Sequence, residues 1–581
     1  MGAVEELRAT GTARGDLVAV VAAAGVGVAM ATTAGSIRVA GDDFASVVRA
    51  VEDGLRPRWV MWSNATAVTF VEAGVRIATA WDVAAVHRLL FGGWRADPAR
   101  VWACLSDLAL DAIPTMAPPD LFSSVGGDDA AGDDRPEEPV RGDGYLRPDW
   151  VDGGWSTTVE RLARWAELAC TVTTRQQARV DAVADRPRAA ATARAESTAE
   201  LLCAELSVDG LPMNRAVAEA HIGEFVGGRA RSEADAAEQR ARRDAEVMRH
   251  APPGFTCDLR SPGQVKLLLQ RVGIEVPDTR ASRLEPLRDA HPLVAALLTW
   301  RKAERMATTY GYAWLDEHLD DGGRLRGAWS GSDGAAGRMT ASAGLHNMPA
   351  DMRGAVVAEA GMVFVRADLG QIEPRVLAAV SGDAALARAT LEADMYAPVA
   401  KQLGVDRATA KVAVLGAMYG QTTGHGARAL RDLDAAYPVA MAYLQEADRA
   451  GQLGRALRTY GGRLIPMGSL AADDDLSDHD ARARAAARGR CGRNAMVQGA
   501  AAELFKAWAV TVWARAAPFE AHIVLCLHDE LLVHAPVEHG EAVARVIDDG
   551  LREAASRWAP DDSVRFVADV SVIGRWSDAK G

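Results

Sequence analysis

Two acidic residues stand in similar apolar settings far apart in the chain. Asp529, within His528-Asp529-Glu530, lies between the apolar stretches Ile523–Leu527 and Leu531–Val533. Asp368 follows the apolar run Met362–Val365 and precedes Leu369-Gly370-Gln371-Ile372-Glu373. Carboxylates at two strand ends can hold a pair of divalent cations if the strands are neighbours. Two such ions about 4 Å apart stabilise both the attacking and the leaving oxygen of an in-line phosphoryl displacement. The residues between the acids carry matching chemistry. Arg407, Lys411, Leu415 and Tyr419 recur at every fourth position and line one helix face. No acid stands four residues from either cation, so salt bridges along the helix do not explain them. A triphosphate at the cationic end and a sugar and base at the apolar end use the whole stripe, with Arg as a fork and Lys as a point charge. Lys411 could also protonate a leaving pyrophosphate. Arg490, Asn494 and Gln498 form a second face, and amides there can donate to the acceptors that every base pair offers in a duplex minor groove.

The elements that must position these groups are legible. Pro374 is tolerated in a first helical turn, so a strand ends at Asp368 and a helix starts near Glu373. Beyond residue 331, strand-like runs alternate with long helices at Glu373–Val380, Thr409–Tyr419 and Arg484–Ala509, the mark of an α+β domain with a helical insertion between its acid-bearing strands. Residues 1–115 form an α/β region, with strands at Leu17–Met30 and Trp59–Trp62 and a helix at Ala84–Leu90 opened by Asp82. Residues 116–148 are a Pro-, Gly- and Asp-rich linker. Residues 155–250 are helical, chiefly Ala189–Leu206 and Ala216–Arg249, and residues 251–330 hold short helices.

At 581 residues the chain needs three or four domains. The net charge of −13 does not exclude nucleic acid, because Arg482, Arg484, Arg488, Arg490 and Arg493 cluster. The six cysteines form no CxxC pair, which argues against a disulfide framework or a zinc site and suits a reducing cytosol. Leu17–Ala31 imitates a signal peptide, but Glu5, Glu6 and Asp16 spoil its leader, and it is shorter than the roughly 20 residues that span a membrane.

Residues 190–575 resemble the family A DNA polymerases, the bacterial DNA polymerase I group. Asp368-Leu-Gly-Gln-Ile-Glu373-Pro-Arg375 is similar to motif A, Arg407…Lys411…Leu415-Gly…Tyr419-Gly420 to motif B, and His528-Asp529-Glu530 to motif C. Arg490, Asn494 and Gln498-Gly499 match R-x-x-x-N-x-x-x-QG; Gly337-Arg338-Met339, His346-Asn347-Met348-Pro349 and Thr459…Arg463…Pro466 match further segments in order. Phe255, Ser261…Val265, Arg301-Lys302 and Thr308-Thr309-Tyr310 match the thumb.

The resemblance implies a right-hand polymerase of palm, fingers and thumb, preceded by an α/β ribonuclease-H-like exonuclease-type domain. The expected boundaries are 1–180 for that domain, 181–335 for the thumb, 336–390 and 486–581 for the palm, and 391–485 for the fingers. It implies two Mg²⁺ ions on Asp368 and Asp529, with the Leu369 carbonyl as a further ligand and Glu530 as an auxiliary acid. Arg407 and Lys411 would bind the triphosphate, Lys411 also as general acid. Leu415, Tyr419, Gln371 and Glu373 would surround the nucleotide, Glu373 blocking a ribose 2′-hydroxyl. Arg338, Arg490, Asn494, Gln498 and His528 would hold the primer–template.

The implied activity is template-directed addition of deoxynucleotides to a primer, in repair or gap filling, by a monomeric cytoplasmic, nucleoid-associated enzyme with no membrane attachment and a separate flap nuclease as a partner. The alternatives are a single-subunit RNA polymerase, against which Glu373 argues, and a non-catalytic DNA-binding scaffold, against which both Asp residues argue.

Three departures from the family pattern stand out: Leu369 and Gly370 replace Tyr and Ser, Leu415 replaces Phe or Tyr, and Pro374 replaces Leu. The N-terminal region departs further. No acid lies between Val18 and Ser36, Val68 stands where a carboxylate is expected, and Trp165 and Ala169 occupy the Tyr-x-x-x-Asp positions of the last exonuclease motif. Tyr145…Asp149 has the spacing, but Pro148 makes a poor helix. The expectation is an exonuclease-like fold that no longer cuts.

Overall fold

The computed structural model describes residues 2–41, 43–116, 136–183, 185–334, 336–420, 426–468 and 478–579. Most of the acidic linker therefore lies outside the described residues.

The N-terminal sheet contains β1 (Leu17–Ala23), β2 (Gly27–Thr32), β3 (Gly35–Ala40), β4 (Arg58–Met61) and β5 (Ala80–Asp82), in the order β3-β2-β1-β4-β5. β1 to β3 form an antiparallel meander, while β4 and β5 run parallel to β1. This is the ribonuclease-H-like order. The apolar run at Leu17–Met30 is two strands rather than one. Gly25 and Gly27 turn the chain at φ 75° and 142°, and a Cβ at Gly27 would meet the Val39 carbonyl at 2.2 Å. Alternate residues face opposite layers: Ala19, Val21, Ala29 and Val60 enter one core, and Val18, Val20, Val28, Met30 and Trp59 the other.

Helix α1 (Val83–Phe91) is capped by Asp82, which accepts from the Ala85 amide at 2.8 Å. Helices α2 (Val159–Asp181) and α3 (Ala189–Asp209) follow. The sequence grouped α3 with the thumb segment 181–335, yet it packs on β5, on the Asn64–Glu72 helix and on the long helix near the C-terminus.

The second sheet carries the acids, and its strands run in the spatial order His522–Cys526, Glu530–Pro536, Met362–Leu369, Ala568–Ile573. Here these strands are β6 (Met362–Leu369), β7 (His522–Cys526), β8 (Glu530–Pro536) and β9 (Ala568–Ile573). Strand β6 pairs antiparallel with β8, with Asp368 opposite Glu530. Helices α6 (Asp478–Ala516) and α7 (Gly540–Trp558) pack on this sheet, and α4 (Ile372–Ser381) and α5 (Arg407–Tyr419) pack on α6. Helix α6 is longer than the expected Arg484–Ala509 because the Arg- and Ala-rich stretch before it is also helical.

The chain divides into two compact units. The first comprises Met1–Gly210, Ala328–Ala341 and Gly361–Val572 and holds both sheets. The second comprises Leu211–Gly327, Ser342–Ala360 and Ile573–Gly581 and is largely helical. Within it the expected Ala216–Arg249 helix is two helices, Arg215–Val226 and Glu233–Met248, because Gly227 takes φ 87° and ends the first. Its core is the Val265, Leu268, Leu269, Leu293, Leu297 cluster.

Candidate active site

Asp368 and Asp529 meet where β6 and β8 leave the sheet. The Leu369 amide donates to the Asp529 carbonyl at 2.7 Å, and the Leu527 amide to that of Glu530 at 2.8 Å, so the hairpin turn that carries Asp529 is tied to the end of β6. Asp368 is pushed up to about 6, first by burial and then by the charge of Asp529. Asp529 is raised too, by burial and by Glu530 and Glu373. Two carboxylates that resist ionising side by side are a site whose negative charge a cation would relieve.

Strand β6 turns into α4 at Gln371, a non-glycine residue at φ 54°. The Gln371 amide is spent on the protein: it donates to Asp394 at 2.9 Å and accepts from the Met395 amide at 2.9 Å. Gly370 fits because a Cβ there would stand 2.9 Å from the Val567 side chain. Arg375, fully buried, holds the corner from below, donating to the carbonyls of Gly370 at 3.0 Å, Glu392 at 2.9 Å and Ala393 at 2.7 Å.

Glu373 joins α4 to α5 and to the Arg338 loop. It accepts from the Tyr419 hydroxyl at 2.6 Å and from the Arg338 guanidinium at 2.9 Å, and its side chain is 15% exposed. Burial, followed by the bond to Glu373, pushes the Tyr419 hydroxyl up to about 12, so it stays a donor. Arg338, Gln371, Glu373, Lys411, Leu415, Tyr419, Gln498, His528 and Asp529, all singled out by sequence, line one cavity of about 290 Å³ together with Tyr396 and Ala501.

Arg407, Arg490, Asn494 and Glu530 are not among the residues that line that cavity. Arg407 lies on the outer turn of α5 and is ion-paired with Asp394. The sequence argument against a salt bridge considered only positions along the helix, and the partner comes from another loop. Lys411 is exposed on the same face and makes no ion pair among the described residues. Arg490 lies over Gly420, where a Cβ would meet its side chain at 2.9 Å, and Asn494 keeps its carbonyl oxygen buried without a partner among the described residues. Glu530 is buried and ion-paired with Arg366 at 2.8 Å. Sequence reasoning missed Arg366 and Tyr396, and it named Arg375 within motif A without giving it a role. The detectable signal was Arg366, a cation two residues before Asp368 in an otherwise apolar strand and thus on the same face.

The model of DNA polymerase family A matches residues 229–578, more than half of the chain. The chain belongs to DNA polymerase family A. It is 32% identical over 347 residues to thermostable DNA polymerase I of Thermus aquaticus, covering 54% of this chain and 41% of the relative. It is 33% identical over 328 residues to DNA polymerase I of Chloroflexus aurantiacus, covering 51% of this chain and 34% of the relative. The chain thus spans well under half the length of these relatives. A solved structure of the POL domain of Pol1 from M. smegmatis, in complex with DNA primer-template and dNTP, is similar over 99% of this chain and 98% of its own at a TM-score of 0.69 and 20% identity. The shared fold therefore includes the N-terminal sheet.

Family A polymerases depend on divalent metal ions. The two raised carboxylates suit a hard cation, and no group of three His, Cys, Asp or Glu side chains is gathered for a metal among the described residues. No helix among the described residues is long and apolar enough to cross a membrane.

In the N-terminal region, apolar packing surrounds the positions where the exonuclease motifs were expected. Trp165 stacks on Trp62 at 4.6 Å and lies 6.1 Å from Trp150. Ala169 is fully buried, and Val68 packs against the other core. Asp82 is buried too, pushed up to about 7 by burial and by Glu200. Tyr145…Asp149 forms only the short turn Pro148–Val151.

Proposed function

We propose that this chain is a template-directed DNA polymerase that adds deoxynucleotides to a primer 3′ end in DNA repair or gap filling and lacks proofreading. The observation that carries this reading is the joint lining of one cavity by Asp529, Lys411, Leu415, Tyr419, Glu373 and Gln498 beside Asp368. Asp368, Asp529 and the Leu369 carbonyl would hold two Mg²⁺, which supply a primer alkoxide nucleophile and charge relief on the leaving pyrophosphate. Arg407 and Lys411 take the triphosphate, Lys411 giving its proton to the leaving group. Glu373, held rigid by Arg338 and Tyr419, walls off the sugar edge and excludes a 2′-hydroxyl. Leu415 and Tyr419 pack on the base. Arg490, Asn494, Gln498 and His528 hold the duplex end. In domain terms the second sheet is the palm, α5 belongs to the fingers and the second unit is the thumb. Two Mg²⁺, a monomeric state, a flap nuclease partner and a cytoplasmic, nucleoid-associated setting belong to the same proposal.

Primer extension with deoxy- and ribonucleotides tests it. Extension with deoxynucleotides only, lost in Asp529→Ala, is expected. Equal use of ribonucleotides would favour an RNA polymerase, and DNA binding without extension a scaffold. Chelator-sensitive trimming of a mismatched 3′ end by this protein would refute the loss of proofreading.

A further inference from the structure

Arg366 is the one charged side chain on β6 that precedes the catalytic acid. It is 7% exposed. Because residues two apart share a strand face, it lies on the same side of the sheet as Asp368. Its guanidinium donates to Glu530 through Nε at 2.8 Å, to Asp368 Oδ2 through Nη2 at 2.8 Å, and reaches Asp569 through Nη1 at 3.4 Å. Strands β6, β8 and β9, adjacent in the sheet, each supply one of these acids, so the geometry is set by strand register. Burial works against the guanidinium, but its three acidic neighbours together hold it above its ordinary range, so it is a permanent cation.

This arrangement has a consequence for the metals. One Asp368 oxygen is already engaged, leaving Oδ1 for metal coordination. Glu530, buried and bound to the same guanidinium, is directed away from a ligand role. A fixed positive charge also sits beside the position where two dications must gather, and it repels them through a partly buried medium. We propose that Arg366 is a positioning residue that competes with metal for Asp368 and removes Glu530 from the metal shell, so that this polymerase needs more free metal than its two carboxylates alone would demand. The proposal rests on the reading of Asp368 as a metal ligand.

The test is Mn²⁺ binding to the full chain in complex with a dideoxy-terminated primer–template and the matching dNTP, measured from the electron paramagnetic resonance signal of unbound Mn²⁺. Arg366→Gln is expected to bind Mn²⁺ about tenfold more tightly, from the loss of a unit charge beside a dication. Arg366→Lys, which keeps the charge, is expected to stay near wild type. The double variant Arg366→Gln with Glu530→Gln keeps the formal charge and replaces a buried ion pair by two amides that can bond each other. It guards against misfolding of the single variant and is expected to remain tighter than wild type because Asp368 Oδ2 is freed. In primer extension by Arg366→Gln the Mg²⁺ concentration for half-maximal rate should fall in parallel. Equal or weaker Mn²⁺ binding in the double variant would overturn the competition. Mn²⁺ binding that survives Asp368→Asn unchanged would instead overturn the metal-site assignment, and this inference with it.

Discussion

Glu196 offers the sharpest test of how the folded chain holds its active site. It sits on α3 and is 1% exposed. Its carboxylate pairs with Arg463 at 2.7 Å and with Lys506, and both of those side chains are equally buried. Lys506 in turn donates to the carbonyls of Gly337 at 2.7 Å and Gly331 at 3.1 Å, and Arg463 donates to Ser332 at 3.2 Å. The loop held this way carries Arg338, which reaches Glu373 in the cavity. The burial cost of Glu196 is outweighed by its two cations, which keep its carboxyl below the usual range. Glu196→Gln removes the acid bonded to both buried cations and leaves Glu503, Asp333 and Glu200 as the acids nearby, while retaining an acceptor of the same shape. Breaking one member of a buried ion network costs about 3–5 kcal/mol, and the retained amide puts this case near 3 kcal/mol. A chain with two units does not unfold in one step, so the measurement should be local. Hydrogen exchange of the amides of residues 331–338 is expected to accelerate, and the affinity for primer–template to fall with Arg338 less restrained. As a control, removal of the exposed Arg552–Asp548 pair should change little, within about 0.5 kcal/mol. Unchanged protection of 331–338 in Glu196→Gln, with a destabilisation no larger than the control's, would refute the argument.

Three other outcomes follow from named contacts. Leu415→Phe places an aromatic ring at the cavity wall, and aromatic stacking worth about 0.5–1.5 kcal/mol should lower the KM for deoxynucleotides a few-fold in single-nucleotide insertion assays. His87 is buried with both ring nitrogens unpartnered among the described residues, and burial, then Arg100 and Arg88, push it down to about 3. The unfolded chain takes up that proton near the ordinary 6.5, so stability present above that pH is lost as pH falls towards 3; His87→Phe should flatten this acid limb in thermal melts. Asp368 has the opposite sign. Its carboxyl is raised from 3.8 to about 6, so ionising it destabilises the metal-free fold as pH rises through that window. Asp368→Asn should therefore melt higher than wild type without metal at neutral pH, by about 1 kcal/mol once its partial exposure is discounted, while abolishing extension.

Much of the site was legible because its signals are local. The strand–corner–helix around Asp368 follows from an apolar run, a small-residue turn and a proline tolerated in the first helical turn. The Arg407–Tyr419 face follows from the helical repeat alone. The departures at Val68, Trp165 and Ala169 from the expected exonuclease pattern stand at readable positions. Other features were illegible because their partners are remote. Asp394 answers Arg407 from a neighbouring loop, and Gln371 is hydrogen-bonded to the same loop. The apolar run at Leu17–Met30 hides a hairpin whose turn uses the positive φ of Gly25 and Gly27. Arg366 meets Glu530 only through the register of β6 on β8, and Lys506 meets Glu196 only because α3 packs against α6. By itself the sequence determined which groups share a helix or strand face, since backbone periodicity sets that within a few residues. Only the tertiary structure decided which charges neutralise one another, since burial and distance, which govern an ion pair, arise between segments that the chain brings together from far apart.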